Sequence, residues 1–319
     1  MATGALLSTS SPEWTRWLER LNSLRPDKAH PALGDAPQKP LLLLVVCDIV
    51  EQGKLDGALL RKDGDLAFRY SSYWRVVAPR RKTKPDVNFP FFHLKSEGFW
   101  QALDAAGRPA SDRRTAAIAQ LDVSFLLCLG WSEFRSLARR TLIAKYFKPE
   151  ERAELYSLVE VPVPPDDVIA ADASRFIPAR ESERQRDAKF AVRVLPAYDY
   201  TCALTHYRMI ALDGKTALDA AHIHQFKKGG SNHPTNGIAL SKTAHWLFDQ
   251  GFWAISKDYR ILVAEDRFDE RGDAAYLLKP RAGSSILRPL KEHYWPDQEE
   301  LRWHRQRHGF ESKLSAAAN

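Results

Sequence analysis

Three separated stretches decide the reading of this chain: Leu218-Asp219-Ala220-Ala221-His222-Ile223, Asn236-Gly237-Ile238-Ala239-Leu240, and His245-Trp246-Leu247-Phe248-Asp249. The first reads as a short strand, followed soon after by the glycine-rich loop Lys227-Lys228-Gly229-Gly230. Ser241 to Asp249 reads as a helix, so His245 and Asp249, at i and i+4, project from one face. An imidazole and a carboxylate presented together can hold a divalent ion. On the strand, Asp219 is the carboxylate nearest His222.

Taken in order with Tyr200-Thr201-Cys202-Ala203-Leu204-Thr205, these stretches resemble the HNH nuclease family, and closely the subgroup whose first histidine ends an acid-x-x-His strand. The resemblance runs from about Arg193 to Ile255. It implies a ββα-metal domain that hydrolyses DNA phosphodiesters. That reaction needs a deprotonated water and relief of charge on the phosphate and on the leaving oxygen. A histidine suits the first task near neutral pH, and a bound divalent ion suits the others. His222 is therefore assigned as general base, and Asp219, His245 and Asp249 as metal ligands. The expected ion is Mg²⁺, with Mn²⁺ or another divalent ion as the alternative. By resemblance, Asn236 is the middle residue of the motif and orients His222 through hydrogen bonds. Family members often carry the first ligand directly before the base, where this chain has Ala221; Asp219 lies two positions earlier on the same strand face. His206, His224 and His233 read as structural or surface residues, with His224 near enough to His222 to touch phosphate. Cys202 has Thr205 at its partner position, so it reads as a buried thiol rather than half of a metal knot.

Outward from this centre, Val161-Pro162-Val163-Pro164-Pro165-Asp166-Asp167 is the best linker, because successive prolines disfavour helix and central strand alike. The expected architecture is α+β in two domains: a helix-rich DNA-recognition domain over residues 1–160, a linker over 161–180, and the nuclease domain over 181–319. In the first domain, Ser11-Pro12-Glu13 starts a helix carrying Trp14, Trp17, Leu18 and Leu21 to about Leu24. Lys39-Pro40 opens a second helix through Leu41 to Val50, with almost no polar face, so it belongs in the middle of that domain. Helical patterns resume from Thr115 to about Leu158.

The pieces Lys39 to Leu44 and Phe89-Pro90-Phe91-Phe92-His93-Leu94 through Trp100 resemble the N-terminal module of HNH restriction enzymes and the sulfur-binding domain of enzymes that restrict phosphorothioated DNA. That family reads sulfur with an apolar cup holding an aromatic-proline pair, which falls here on Phe89-Pro90, although the family pair normally begins with tyrosine. Sulfur is larger and more weakly hydrated than oxygen, so apolar contact costs it less. Ordinary core is the competing reading of Phe89 to Leu94. The basic, aromatic tract supplies Arg69, Arg75, Arg80, Arg81 and Lys82 as candidate phosphate contacts, with a solvated face as the competing reading.

The formal charge of +7 suits a polyanionic partner, double-stranded DNA with or without modification. Three cysteines give no disulfide framework. Met1 to Pro12 lacks a signal-peptide pattern, and the apolar run Leu41 to Cys47 is too short to span a bilayer. A cytoplasmic protein without a membrane partner is expected. One centre cuts one strand, so duplex cleavage requires a homodimer or two successive nicks. The rival readings are a DNA-binding protein whose nuclease-like domain no longer cuts, and a phage or mobile-element nuclease without a restriction role.

Overall fold

The computed structural model describes residues 12–25, 36–81, 83–159, 183–273 and 276–311. Ser11, Lys82 and the expected linker at 161–180 lie outside them. The chain forms two compact units, Met1–Arg180 with Leu212–Gly214, and Glu181–Ala211 with Lys215–Asn319. The class is α+β.

In the first unit, helix α1 (Pro12–Asn22) buries Trp14, Trp17 and Leu21 on one stripe. Helix α2 (Gln38–Glu51) buries almost every side chain from Lys39 to Ile49, as its lack of a polar face predicts. Pro40 sits in its first turn, where a missing N–H leaves no bond unmade. Lys39 is a buried cation, matched by Glu97 at 2.5 Å. Strand β1 (Leu59–Arg61) precedes helix α3 (Gly64–Val77), whose cap Asp63 accepts from the Leu66 N–H. Helix α4 (Asn88–His93) contains Phe89 and Pro90. Strands β2 (Trp100–Leu103) and β3 (Ile118–Leu121) complete an antiparallel sheet in the order β1-β3-β2. Helices α5 (Val123–Leu129), α6 (Ser132–Tyr146) and α7 (Pro149–Leu158) follow.

Strand β3 corrects the expectation of helix from Thr115 onward. Ala119 and Leu121 point inward while Gln120 is exposed, a two-residue period too short to stand out. Asp122 then caps α5 through the Ser124 and Phe125 N–H groups, ending the strand and starting the helix in one residue.

The second unit opens with helix α8 (Glu183–Ala197). Strands β4 (Leu218–His222) and β5 (Gly237–Ser241) pair antiparallel, with His222 opposite Gly237 and Asp219 opposite Leu240. Ser241 caps helix α9 (Lys242–Asp249), accepting from the Ala244 N–H. Two strands and one helix thus form a ββα unit. Gly237 is required there: a Cβ would meet Val194 Cγ2 of α8 at 2.3 Å. Strands β6 (Trp253–Ile255) and β7 (Ile261–Val263) form a second antiparallel pair, and helix α10 (Gln298–Arg307) packs on β6.

Candidate functional site

The β4–β5–α9 unit brings Asp219, His245 and Asp249 together. Asp219 Oδ2 lies 3.3 Å from His245 Nδ1, and Asp249 Oδ2 lies 3.5 Å from His245 Nε2. The imidazole therefore separates the two carboxylates. Among the described residues, no three His, Cys, Asp or Glu side chains converge on one point suited to an ion. Two ligands in adjacent positions around a Mg²⁺-sized ion, each about 2.1 Å from it, stand about 3 Å apart. The Asp219–His245 pair fits that spacing, and Asp249 sits on the wrong nitrogen to join them. A ligating histidine normally gives its second ring N–H to a carboxylate, which fixes the ring; Asp249 is placed to receive it. Gln225 Nε2 in turn approaches Asp249 Oδ1 at 3.4 Å.

The hydrogen bond from His245 holds the Asp219 carboxyl below its ordinary range, aided by Lys242, whose ammonium lies 2.9 Å from Oδ1. Asp219 thus stays ionised, as a cation ligand must. Lys242 is largely exposed and competes for the same charge. Replacing it with alanine is expected to tighten Mn²⁺ binding by about threefold, consistent with a solvent-screened pair worth under about 1 kcal/mol. Isothermal titration would show it, and unchanged affinity would mean that Lys242 does not compete.

His222 ends β4, three residues and about 10 Å of strand from Asp219. Its ring stacks on Phe190 of α8 at 3.8 Å, nearly parallel, and its Nε2 lies 2.9 Å from Asn232 Oδ1. As that amide is oriented, Nε2–H donates, and in the neutral ring Nδ1 is the basic nitrogen. Asn236 is fully buried and works on the chain just beyond. Its Oδ1 accepts from the His224 N–H at 2.8 Å, while Nδ2 donates to the carbonyls of His224 (2.9 Å) and Ser231 (2.7 Å). Both amide hydrogens are thereby committed to backbone. Asn236 fixes the loop that carries Asn232, and Asn232 meets the imidazole. Gly230 lets this loop close, since a Cβ there would lie 1.9 Å from the His224 carbonyl oxygen.

Helix α10 braces the same loop. His224 Nδ1 lies 2.9 Å from Glu300 Oε2, Nε2 lies 3.0 Å from the Lys228 carbonyl, and the ring stacks on Trp303 at 3.8 Å. Four residues apart from Glu300, His304 stacks on Phe248 of α9 at 3.7 Å and pairs through Nε2 with its carbonyl. Burial pushes the His304 imidazole down to about 3, helped by His308. The native state therefore refuses a proton that the unfolded chain accepts near 6.5. Stability is expected to decline as pH falls below that value and to level off near 3, a change on the order of a few kcal/mol. Urea midpoints measured across this range should show the slope. His304→Phe, which keeps the stack, should flatten it in part, leaving the smaller effect of His308; an unchanged slope would contradict this origin.

The N-terminal contacts divide. Arg69 is buried, with Nε 2.6 Å from Asp65 and NH2 2.7 Å from Gln52, so it supports α3 and does not face a phosphate. Arg80 is half-buried and committed to a two-pronged pair with Glu151 at 2.6 and 3.2 Å. These two correct the sequence expectation. Arg75 is exposed and Arg81 half-buried; Lys82 lies outside the described residues. Pro90 is buried, while Phe89 is half-buried beside His93, ring centroids 4.4 Å apart.

With this geometry in place, comparison with known proteins is informative for one segment. Residues 202–256 match the HNH endonuclease family. This segment of the C-terminal unit thus matches an HNH endonuclease domain. A comparison with curated proteins finds no match. Among solved structures, similarity is found to a modification-dependent TagI restriction endonuclease (18% identity, TM-score 0.30, 46% of this chain and 44% of that one). It is also found to the sulfur binding domain of SprMcrA complexed with phosphorothioated DNA (22%, 0.36, 46% and 95%). A third is the Type IV phosphorothioation-dependent restriction endonuclease ScoMcrA (14%, 0.28, 72% and 94%). The match spans under half the length of the TagI enzyme. No described helix is long and apolar enough to cross a membrane.

Sequence reasoning missed Asn232, Gln225, Glu300 and Trp303. No spacing rule points to the last two, because α10 reaches the loop from some 75 residues downstream, as the 76-residue separation of His224 and Glu300 records.

Proposed function

We propose that this chain is a metal-dependent restriction endonuclease that hydrolyses DNA phosphodiesters at the β4–β5–α9 unit. The observation that carries the reading is the Asp219–His245 pair, spaced for one ion on the hairpin-and-helix whose first strand ends in His222. Asp219 and His245 hold the ion, and Asp249, steadied by Gln225, fixes the His245 ring. Bound there, the ion supplies Lewis-acid relief of charge on the phosphate and the departing oxygen. His222, at the end of β4, is the proposed general base, its tautomer set by Asn232 and its ring plane by Phe190. Asn236 and the His224 clasp keep the loop rigid. Exposed Lys227 and Lys228 next to it suit a phosphate backbone.

The first unit is proposed as the recognition module. Phe89 and Pro90 on α4 are the proposed apolar contact for a sulfur-bearing phosphate, with Arg75 and Arg81 as proposed backbone contacts. Support for the sulfur reading is the half-buried Phe89 ring at the α4 surface and the resemblance of this stretch. Duplex cleavage is proposed to need two copies or two nicks.

The test is a cleavage panel with Mg²⁺ and with Mn²⁺ on matched DNAs: unmodified, phosphorothioated, and methylated or hydroxymethylated at cytosine. Cleavage that requires the divalent ion and prefers sulfur-bearing DNA supports both parts. Equal cleavage of all substrates removes the sulfur reading and favours a nuclease without a restriction role. Binding without any cleavage removes the enzyme reading for this chain.

A further inference from the structure

The mechanism leaves one aromatic surface unused. Trp246 follows His245 on α9, and helical geometry puts it on one face with Lys242 at i−4 and Asp249 at i+3. Both of those side chains belong to the cluster around His245. Trp246 is 57% exposed, the most exposed tryptophan among the described residues. Its ring continues into Phe252 at 5.6 Å, and Phe252 into Phe268 at 5.3 Å. At the far end the Lys279 ammonium lies 5.1 Å from the Phe268 centroid. Phe252 and Phe268 are each half-buried. A satellite core would bury its largest ring first; here the ring nearest the proposed metal site is the most exposed.

We propose that Trp246, Phe252, Phe268 and Lys279 form a binding strip for the DNA flanking the cleaved phosphate, with the rings against deoxyribose faces and the ammonium on a phosphate. The proposal rests on the nuclease reading of the adjoining site. Two features select DNA as occupant. The strip is continuous with the proposed nuclease centre through Trp246, which shares a helix face with Lys242 and Asp249. At its far end Lys279 lies on the Phe268 ring, a cation placed for a phosphate. Sugars and phosphates are the same at every nucleotide, so the strip adds affinity without sequence preference.

The test uses the full chain and a fluorescein-labelled duplex, with affinity read by anisotropy in the absence of divalent ion. Trp246→Ala and Phe268→Ala are each expected to raise Kd about tenfold, and Trp246→Phe to restore most of it. Lys279→Ala should lower the slope of log Kd against log salt by about one, and Trp246→Ala should leave that slope unchanged. Mn²⁺ affinity, which reports the Asp219–His245 pair, serves as the second readout. Duplex affinities within about twofold of the parent chain for both aromatic variants would overturn the proposal. So would a joint loss of duplex and Mn²⁺ affinity, which would make the rings mere support for His245. A chain that binds duplex but cuts none would sink the nuclease reading alone, because these dissociation constants do not depend on cleavage.

Discussion

His222→Ala is expected to lower the rate of divalent-ion-dependent plasmid cleavage by about 10² to 10⁴-fold, the usual worth of a positioned general base. The reason is local. Phe190 and Asn232 hold the imidazole, and the proposed ion site at Asp219–His245 does not include it, so under the proposed mechanism its loss removes proton transfer and leaves that pair standing. Mn²⁺ affinity and duplex affinity should therefore stay close to those of the parent chain. Gel assays of supercoiled plasmid, with titration calorimetry beside them, would check this. Full cleavage by the variant would remove His222 from the mechanism. Loss of Mn²⁺ binding would instead show that the ring holds the ion.

The largest structural effect is expected at Asn236. Alanine there removes three hydrogen bonds at once from a buried side chain: those to the His224 N–H, the His224 carbonyl and the Ser231 carbonyl. Each such bond contributes about 0.5–1.5 kcal/mol net, so destabilisation of about 2–4 kcal/mol is expected. Asn236→Asp should be no milder, since a carboxylate cannot donate to either carbonyl. Urea unfolding measures the loss. A variant as stable as the parent would mean that the loop finds other partners, and that the clamp described here is dispensable.

What the sequence made legible follows from how local each signal is. His222 and His245 stand in order within a strand and a helix, and α9 begins where Ser241 caps it. Helix α2 was readable because a run without polar residues has one destination. The role of Asn236 was misread as contact with His222, when its amide serves the backbone two residues farther on. That distinction depends on the path of the loop, which no spacing encodes. Asp249 shares a helix face with His245, as expected, yet lies across the ring from Asp219. Periodicity places a residue on a face but does not say which ring nitrogen it meets. The basic tract failed at Arg69 and Arg80 because one partner, Glu151, lies 71 residues away and the other, Asp65, sits one turn earlier on the same helix. Cationic composition cannot tell a solvated face from an internal ion pair.

The most direct test is a crystal structure of the chain with Mn²⁺, read by anomalous scattering. A single strong peak within about 2.5 Å of a carboxylate oxygen of Asp219 and of His245 Nδ1, with Asp249 still on Nε2, is the predicted result. An ion held elsewhere, or one bridging Asp249 and Nε2 without Asp219, would contradict it.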